Sequence, residues 1–195
     1  MQNYSYLEAI QKIQSYGILV QSSFIVGYDC DSQATFDELI GFIQESNLLM
    51  PLINILTPFP GTELFKRLEE EGRILHRDWS KYDSQHVVFS PARMSAEDLL
   101  QGYRRVMRSV YSFDSILKKL NYYWARDFWK RSNEADSVKF AYRCLFAARL
   151  ATLLSSGNKD RSKFIMRILP HVFDKEVRIS TVLALMNQND FAAAL

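Results

Sequence analysis

Two apolar runs of strand length, Ile18–Gly27 and Leu52–Thr57, constrain this chain more than any other feature. The first, Ile18-Leu-Val-Gln-Ser-Ser-Phe-Ile-Val-Gly27, is too continuous for a strand with one wet face and reads as a buried strand of a parallel sheet. Parallel neighbours need a helical crossover, and the text between the runs supplies one. Asp31 and Ser32 offer N-cap oxygens, and Phe36, Leu39, Ile40 and Ile43 form an apolar stripe that fades near Asn47. The second run closes in Pro58-Phe-Pro-Gly-Thr62, where two prolines and a glycine force a turn. Thr62 can cap a helix over Glu63–Glu71, stopped by Gly72. Upstream, Tyr4–Tyr16 carries Tyr6, Leu7, Ile10 and Ile13 at helical spacing before Gly17. Helix, strand, helix, strand, helix is the rhythm of a βα barrel or a doubly wound sheet. Two strands cannot be the whole of either. The others must come from upstream in a longer native chain, from a rearrangement, or from another subunit.

Beyond Arg73 the pattern breaks. Asp78-Trp-Ser-Lys-Tyr-Asp83 reads as loop and His86–Phe89 as a short strand, and from Ser95 onward the chain reads as helix. Ser95 and Asp98 have capping-box spacing ahead of the stripe Leu99, Tyr103, Val106, Met107 and Val110. Further amphipathic segments are predicted at about 114–131, 135–155, 161–173 and 176–187, with breaks at Ser132-Asn133, Ser155–Asn158 and Pro170. The expected organisation is therefore residues 1–75 for the strands and their helices, 76–94 for an irregular connector, and 95–195 for a helical domain.

Charge separates the same halves. Residues 1–94 hold 7 basic and 12 acidic side chains, and residues 95–195 hold 17 and 10. Lys and Arg interspersed on helices are ordinarily a solvated face, so nucleic acid is not the expected partner. Tyr122, Tyr123, Trp124, Phe128 and Trp129 beside Arg126, Lys130 and Arg131 could stack on bases or grip a lipid-like substrate, but core packing is the simpler reading. No run approaches the roughly 18 to 20 apolar residues of a membrane span, and the first residues lack a signal-peptide pattern. Two isolated cysteines, Cys30 and Cys144, suit a reducing compartment, and a cytoplasmic location is expected.

Most side-chain chemistry is excluded by spacing. His76, His86 and His171 form no H-x-x-x-H or Cys-His ligand set, so no metal site is assigned. Asp29 and Asp31 begin like a calcium loop, but Ala34 stands where an EF-hand needs glycine. Neither G-x-S-x-G nor a phosphate-binding loop occurs, and no catalytic acid, base or nucleophile can be named. What remains is backbone: Gly27 and Thr57–Gly61 sit where strands end, the edge at which βα folds bind ligands.

Four linked blocks then carry a resemblance: Phe24-Ile-Val-Gly-Tyr-Asp-Cys-Asp31 with its Phe36 helix, Ile53-Asn-Ile-Leu-Thr-Pro-Phe-Pro-Gly-Thr62, Leu68-Glu-Glu-Glu-Gly-Arg-Ile-Leu75, and Asp78-Trp79 with Tyr82-Asp83. In order and spacing, over about residues 5–120, they resemble the late-barrel region of cobalamin-associated radical SAM proteins. The resemblance implies an α/β fold, the C-terminal part of a partial (β/α) barrel followed by a mainly helical domain. It further implies S-adenosylmethionine (SAM) and a [4Fe–4S] cluster as cofactors, and admits cobalamin in the full-length protein. It maps Ile25, Gly27, Leu56, Thr57 and Pro58 onto SAM-binding strand ends, with Ser23 where the family usually has glycine. Phe59, Pro60, Gly61 and Thr62 map onto the substrate-cavity rim, and Asp31 falls near an acidic motif position while being expected to cap the next helix.

In such proteins a C-x-x-x-C-x-x-C loop binds the cluster, and this sequence has no such triplet. The reading is a C-terminal fragment of a radical SAM enzyme, with methyl transfer among its reactions, inactive alone and completed by the missing barrel half in cis or in trans. An open sheet edge at Ile18–Val26 would favour homo-oligomers. The alternative is a non-catalytic helical module that binds nucleic acid or an acidic partner.

Overall fold

A computed structural model describes residues 5–126, 159–173 and 179–195. The fold is mixed α/β and mostly helical, with one two-stranded parallel sheet among the described residues. The chain forms two compact units, residues 21–109 and residues 1–20 with 110–195.

In the first unit, β1 (Ser23–Val26) pairs in parallel with β2 (Leu52–Ile55), Phe24 opposite Ile53 and Val26 opposite Ile55. The Leu52 amide donates to the Ser22 carbonyl and the Leu56 amide to the Val26 carbonyl, both at 2.8 Å. Strand β1 is shorter than the predicted run. Pairing begins at Ser22–Leu52, and Ile18 and Leu19, upstream of it, are exposed. The two strands are joined by the helix Gln33–Glu45, and β2 is followed by the helix Glu63–Glu70. With the helix Tyr6–Ser15 as α1, these are α2 and α3, and α4 follows at Ala96–Val110.

One sheet face is packed. Val26, Ile53 and Ile55 are buried, and Phe24 meets Phe42 of α2 edge-on at 5.9 Å. Phe36 and Ile43 of α2 join Leu99, Tyr103 and Val106 of α4 in the core. A Cβ at Gly102 would lie 2.3 Å from the Phe36 ring, so glycine is what lets α4 approach α2. The expected strand at His86–Phe89 is reduced to one antiparallel bridge, Ile74 to Phe89, flanked by Leu75 N–H to Val88 O and Ser90 N–H to Arg73 O. Ser84, at φ +66°, accepts the Ile55 amide on the far side of β2.

The second unit contains α1, α5 (Phe113–Trp124), α6 (Lys159–Phe173) and α7 (Ile179–Ala194). Helix α1 carries the Ser5/Glu8 capping box, but its buried side chain is Gln14. Tyr6 and Ile13 of the predicted apolar stripe are exposed. Gln14 is held by polar partners: its amide donates to Tyr123 Oη at 3.1 Å, and Tyr122 Oη donates to its carbonyl oxygen at 3.2 Å. Helix α5 ends at Trp124, short of the predicted residue 131, where Ala125 caps it on Asn121 O. Phe113 and Phe164 pack α5 on α6 with ring centroids 4.9 Å apart. Pro170 lies inside α6 and does not separate helices. The helix predicted at 135–155 lies outside the described residues. No described helix is long and apolar enough to cross a membrane.

Candidate functional site

The C-terminal ends of β1 and β2 lie side by side: Ile25 stands opposite Asn54, the Leu56 amide bonds the Val26 carbonyl just before Gly27, and Thr57 and Pro58 follow along the chain. Strand alternation then sorts the side chains. Ile25 points to the face away from the helices and is 44 % exposed; on the same face Ser23 and Leu52 are exposed and Asn54 is half-buried. Asn54 Nδ2 donates to Ser23 Oγ at 3.2 Å across the two strands. Asn54 was not among the expected site residues. Its signal in the sequence is a carboxamide inside an apolar strand, at the period of the open face.

Gly27 has φ +106°, and a Cβ there would meet Leu99 Cδ2 at 3.0 Å and Phe89 Cζ at 3.5 Å. Its close approach therefore serves the packed core. The amides of Gly27 and Tyr28 both donate to Asp31 Oδ2, at 2.7 and 2.9 Å, and the Asp31 amide returns a bond to Tyr28 O at 2.9 Å. Asp31 is thus a loop clamp, contrary to the expected helix cap. Ser32 is the N-cap of α2, and its amide donates to Thr35 Oγ1. Thr57 and Pro58 are buried, with Thr57 Oγ1 donating to Ile55 O at 3.0 Å, while Leu56 is half-buried. Phe59, Pro60, Gly61 and Thr62 are exposed. Thr62 caps α3 through Phe65 N–H, and its hydroxyl donates to Phe59 O at 2.7 Å.

The loop after β1 is also tied outward. Asp29 pairs with Arg73 at 2.7 Å and Arg67 at 3.3 Å, and the Arg73 hydrogen bond holds its carboxyl below the usual carboxylate range. Arg73 further donates to Glu71 and to the Ser90 carbonyl, so one guanidinium joins three segments.

The residues fit the expected cofactors unequally. The open face, an apolar floor of Ile25 and Leu52 with the Asn54 carboxamide, suits a nucleoside such as the adenosyl part of SAM. No group of three or more His, Cys, Asp or Glu side chains among the described residues could hold a metal ion, and the sequence has two cysteines in all. The chain's own donors therefore do not fit a [4Fe–4S] cluster. Cys30 is exposed, and Cys144 and the side chain of His171 lie outside what is described. His86 pairs with Asp83 at 2.9 Å, and His76 Nδ1 accepts the Asp78 amide at 3.4 Å. Of the aromatic cluster, Tyr123 is buried and Arg126 lies 3.7 Å over the Tyr122 ring, while Phe128, Trp129, Lys130 and Arg131 lie outside the described residues.

Residues 62–191 match a family described as a domain of unknown function, DUF4070. The chain is 34% identical over 133 residues to the bacteriochlorophyllide d C-12(1)-methyltransferase of Chlorobaculum tepidum, covering 66% of this chain and 28% of that enzyme. It is 31% identical over 116 residues to the hopanoid C-2 methylase of Rhodopseudomonas palustris, covering 60% and 21%. It is 28% identical over 119 residues to the anaerobic magnesium-protoporphyrin IX monomethyl ester cyclase of Rubrivivax gelatinosus, covering 61% and 20%. In each case the aligned stretch spans less than a third of the relative's length. No solved structure matches.

Proposed function

The chain belongs to the DUF4070 family, the C-terminal domain of B12-binding radical SAM proteins, and from that premise we propose that it is the C-terminal portion of a radical SAM methyltransferase. The observation that carries this reading is the parallel β1-α2-β2-α3 unit with helices on one face and the other face open. A parallel sheet covered on one side is the wall of a barrel seen from inside, and β1 and β2 are read as late strands of a partial (β/α) barrel. The sheet unit, residues 21–109, is read as that wall with its connector, and the unit of residues 1–20 and 110–195 as the helical part. Missing strands, in cis or in trans, would pair along β1, the edge that would otherwise pair two copies of the chain. The location is proposed as cytoplasmic.

In this reading Ile25, Gly27, Leu56, Thr57 and Pro58 border the SAM nucleoside, and Phe59, Pro60, Gly61 and Thr62 form the substrate rim. The residues of this chain bind and orient: Ile25 and Leu52 exclude water from one side of the cofactor, and Asp31 keeps the strand end in one conformation. Bound SAM would supply the methyl group, with cobalamin as the proposed relay in the complete protein, and the cluster's ligands would have to come from outside this chain. The curated matches are methyltransferases and a cyclase, which does not favour the helical binding-module alternative.

The test is SAM binding by equilibrium dialysis to the complete protein, with Ile25→Lys as the probing variant. Loss of SAM with an unchanged circular dichroism spectrum and cluster absorbance is expected. Undiminished binding would sink the assignment.

A further inference from the structure

The family match begins at residue 62, after both strands, yet several of its side chains reach back to the loop that follows β1. Leu99 and Phe89 fill the space beside Gly27. Arg93 Nη1 donates to Cys30 O at 3.4 Å, and Arg73 Nη2 donates to Asp29 Oδ1 at 2.7 Å. The bond to Asp29 differs in kind from the loop's other bonds. Those from the Gly27 and Tyr28 amides to Asp31, and from the Asp31 amide to Tyr28 O, close the loop on itself and set its shape rather than its placement. Asp29 is the loop side chain that ties it to other elements, through Arg73 and, at 3.3 Å, Arg67.

The two arginines are unequal anchors. The Arg67 side chain is 54 % exposed and that of Arg73 is 18 % exposed, so water competes for the first pair far more than for the second. Arg73 is also bonded at every nitrogen: Nε donates to Ser90 O at 2.7 Å and Nη1 to Glu71 Oε2 at 2.8 Å. Its main-chain amide donates to Leu68 O and its carbonyl accepts the Ser90 amide, both at 2.8 Å. The loop carboxylate is thus fixed to a post just beyond α3 that is itself fixed on all sides. A binding loop held in place beforehand spares its ligand the cost of ordering it.

We propose that Arg73 is a positioning residue for SAM, acting through Asp29 on the loop that carries Gly27, so that the matched family segment sets the geometry of a cofactor edge lying outside it. This rests on the reading of the β1–β2 edge as the border of the SAM nucleoside, and adds to it a residue that acts through another.

The test is equilibrium dialysis of SAM against the complete protein, with folding of each variant followed by circular dichroism. Arg73→Met and Asp29→Ala should each weaken SAM about fivefold, and the double variant should also lose about fivefold rather than the product of the two. Arg73→Lys, which returns a cation to Asp29, should recover to within about twofold of the native protein. Arg77→Gln, which removes the ion pair with Glu69 from the same unit, should leave SAM affinity unchanged. Without SAM, amide hydrogen exchange across residues 27–31 should be faster in Arg73→Met, and in Asp29→Ala should Arg73→Met not fold. Unchanged exchange, unchanged SAM affinity, multiplicative losses in the double variant, or Arg73→Lys no better than Arg73→Met would each overturn the proposal. A native protein that binds no SAM sinks the radical SAM reading and this proposal with it, whereas native binding with an unaffected Arg73→Met sinks this proposal alone.

Discussion

Lys119 is 2 % exposed on α5, and burial lowers its pKa from 10.5 to about 7. Its Nζ donates at 3.1 Å to the carbonyl of Val110, the last residue of α4, and sits 5.8 Å from the Tyr111 ring centroid. The helix-end carbonyl and the ring favour the cation, yet desolvation wins. Because the folded pKa lies below the unfolded one, the native state binds fewer protons between about pH 7 and 10.5, so this group makes stability rise with pH across that window. Below pH 7 the cost of the buried charge is complete, about 5 kcal/mol at 1.36 kcal/mol per unit. Lys119→Met removes the titration while keeping most of the volume. Between pH 7 and 9.5 the native chain should gain about 3 kcal/mol relative to the variant. Urea unfolding followed at 222 nm for both proteins at pH 6.5, 8 and 9.5 measures this, and Lys119→Met should be the more stable at pH 6.5. A stability difference that stays constant across the three values would refute the argument, because it would mean that the ammonium is solvated or paired in the native state.

Gly102→Ala drives a methyl group into the Phe36 ring and should cost about 1 to 3 kcal/mol in urea unfolding, with Phe36→Leu in the same chain restoring part of it. Asp31→Asn weakens the acceptor shared by the Gly27 and Tyr28 amides, and a loss of about 1 to 3 kcal/mol should appear together with faster amide exchange at those two positions. Asp29, whose carboxyl is held low by Arg73, contributes stability that is complete above the ordinary carboxylate range and lost as pH falls through its lowered pKa. An acid titration of Asp29→Asn against the native chain should therefore converge only below pH 3.8, and earlier convergence would count against the ion pair.

The parallel pair was legible because two continuous apolar runs flank a helical stretch and Pro58 ends the second, but the expectation of a strand with no wet face fails, since Ile25 and Leu52 are 44 % and 45 % exposed while Val26, Ile53 and Ile55 are buried. The cap at Ser95 was legible from its spacing, and Ser95 and Asp98 bond reciprocally. Strand length was not, because whether Ile18–Gln21 joins a sheet depends on a partner that local sequence does not encode. Helix α1 misled through its own amphipathicity: its apolar residues were read as the packed face, while Gln14 is buried because Tyr122 and Tyr123, over a hundred residues away, satisfy its amide. At the site, the sequence points to Gly27 as a place where a ligand approaches the main chain. The neighbour its missing Cβ accommodates is Leu99, a contact between residues 72 positions apart that no motif records.

The carbonyl of Ser84 gives the sheet a direction of growth. By accepting the Ile55 amide from a left-handed turn, it occupies the outer flank of β2, while Asp31 takes the amide of Gly27 just past β1. What stays available for a newcomer is the outer flank of β1, where Ser23 and Ile25 alternate away from β2 with their donors and acceptors. The sheet thus behaves as a connector with one keyed end: an incoming strand can register over about two repeats before the clamp at Gly27 stops it, and no second strand can queue at the opposite side without first displacing the Ser84 turn.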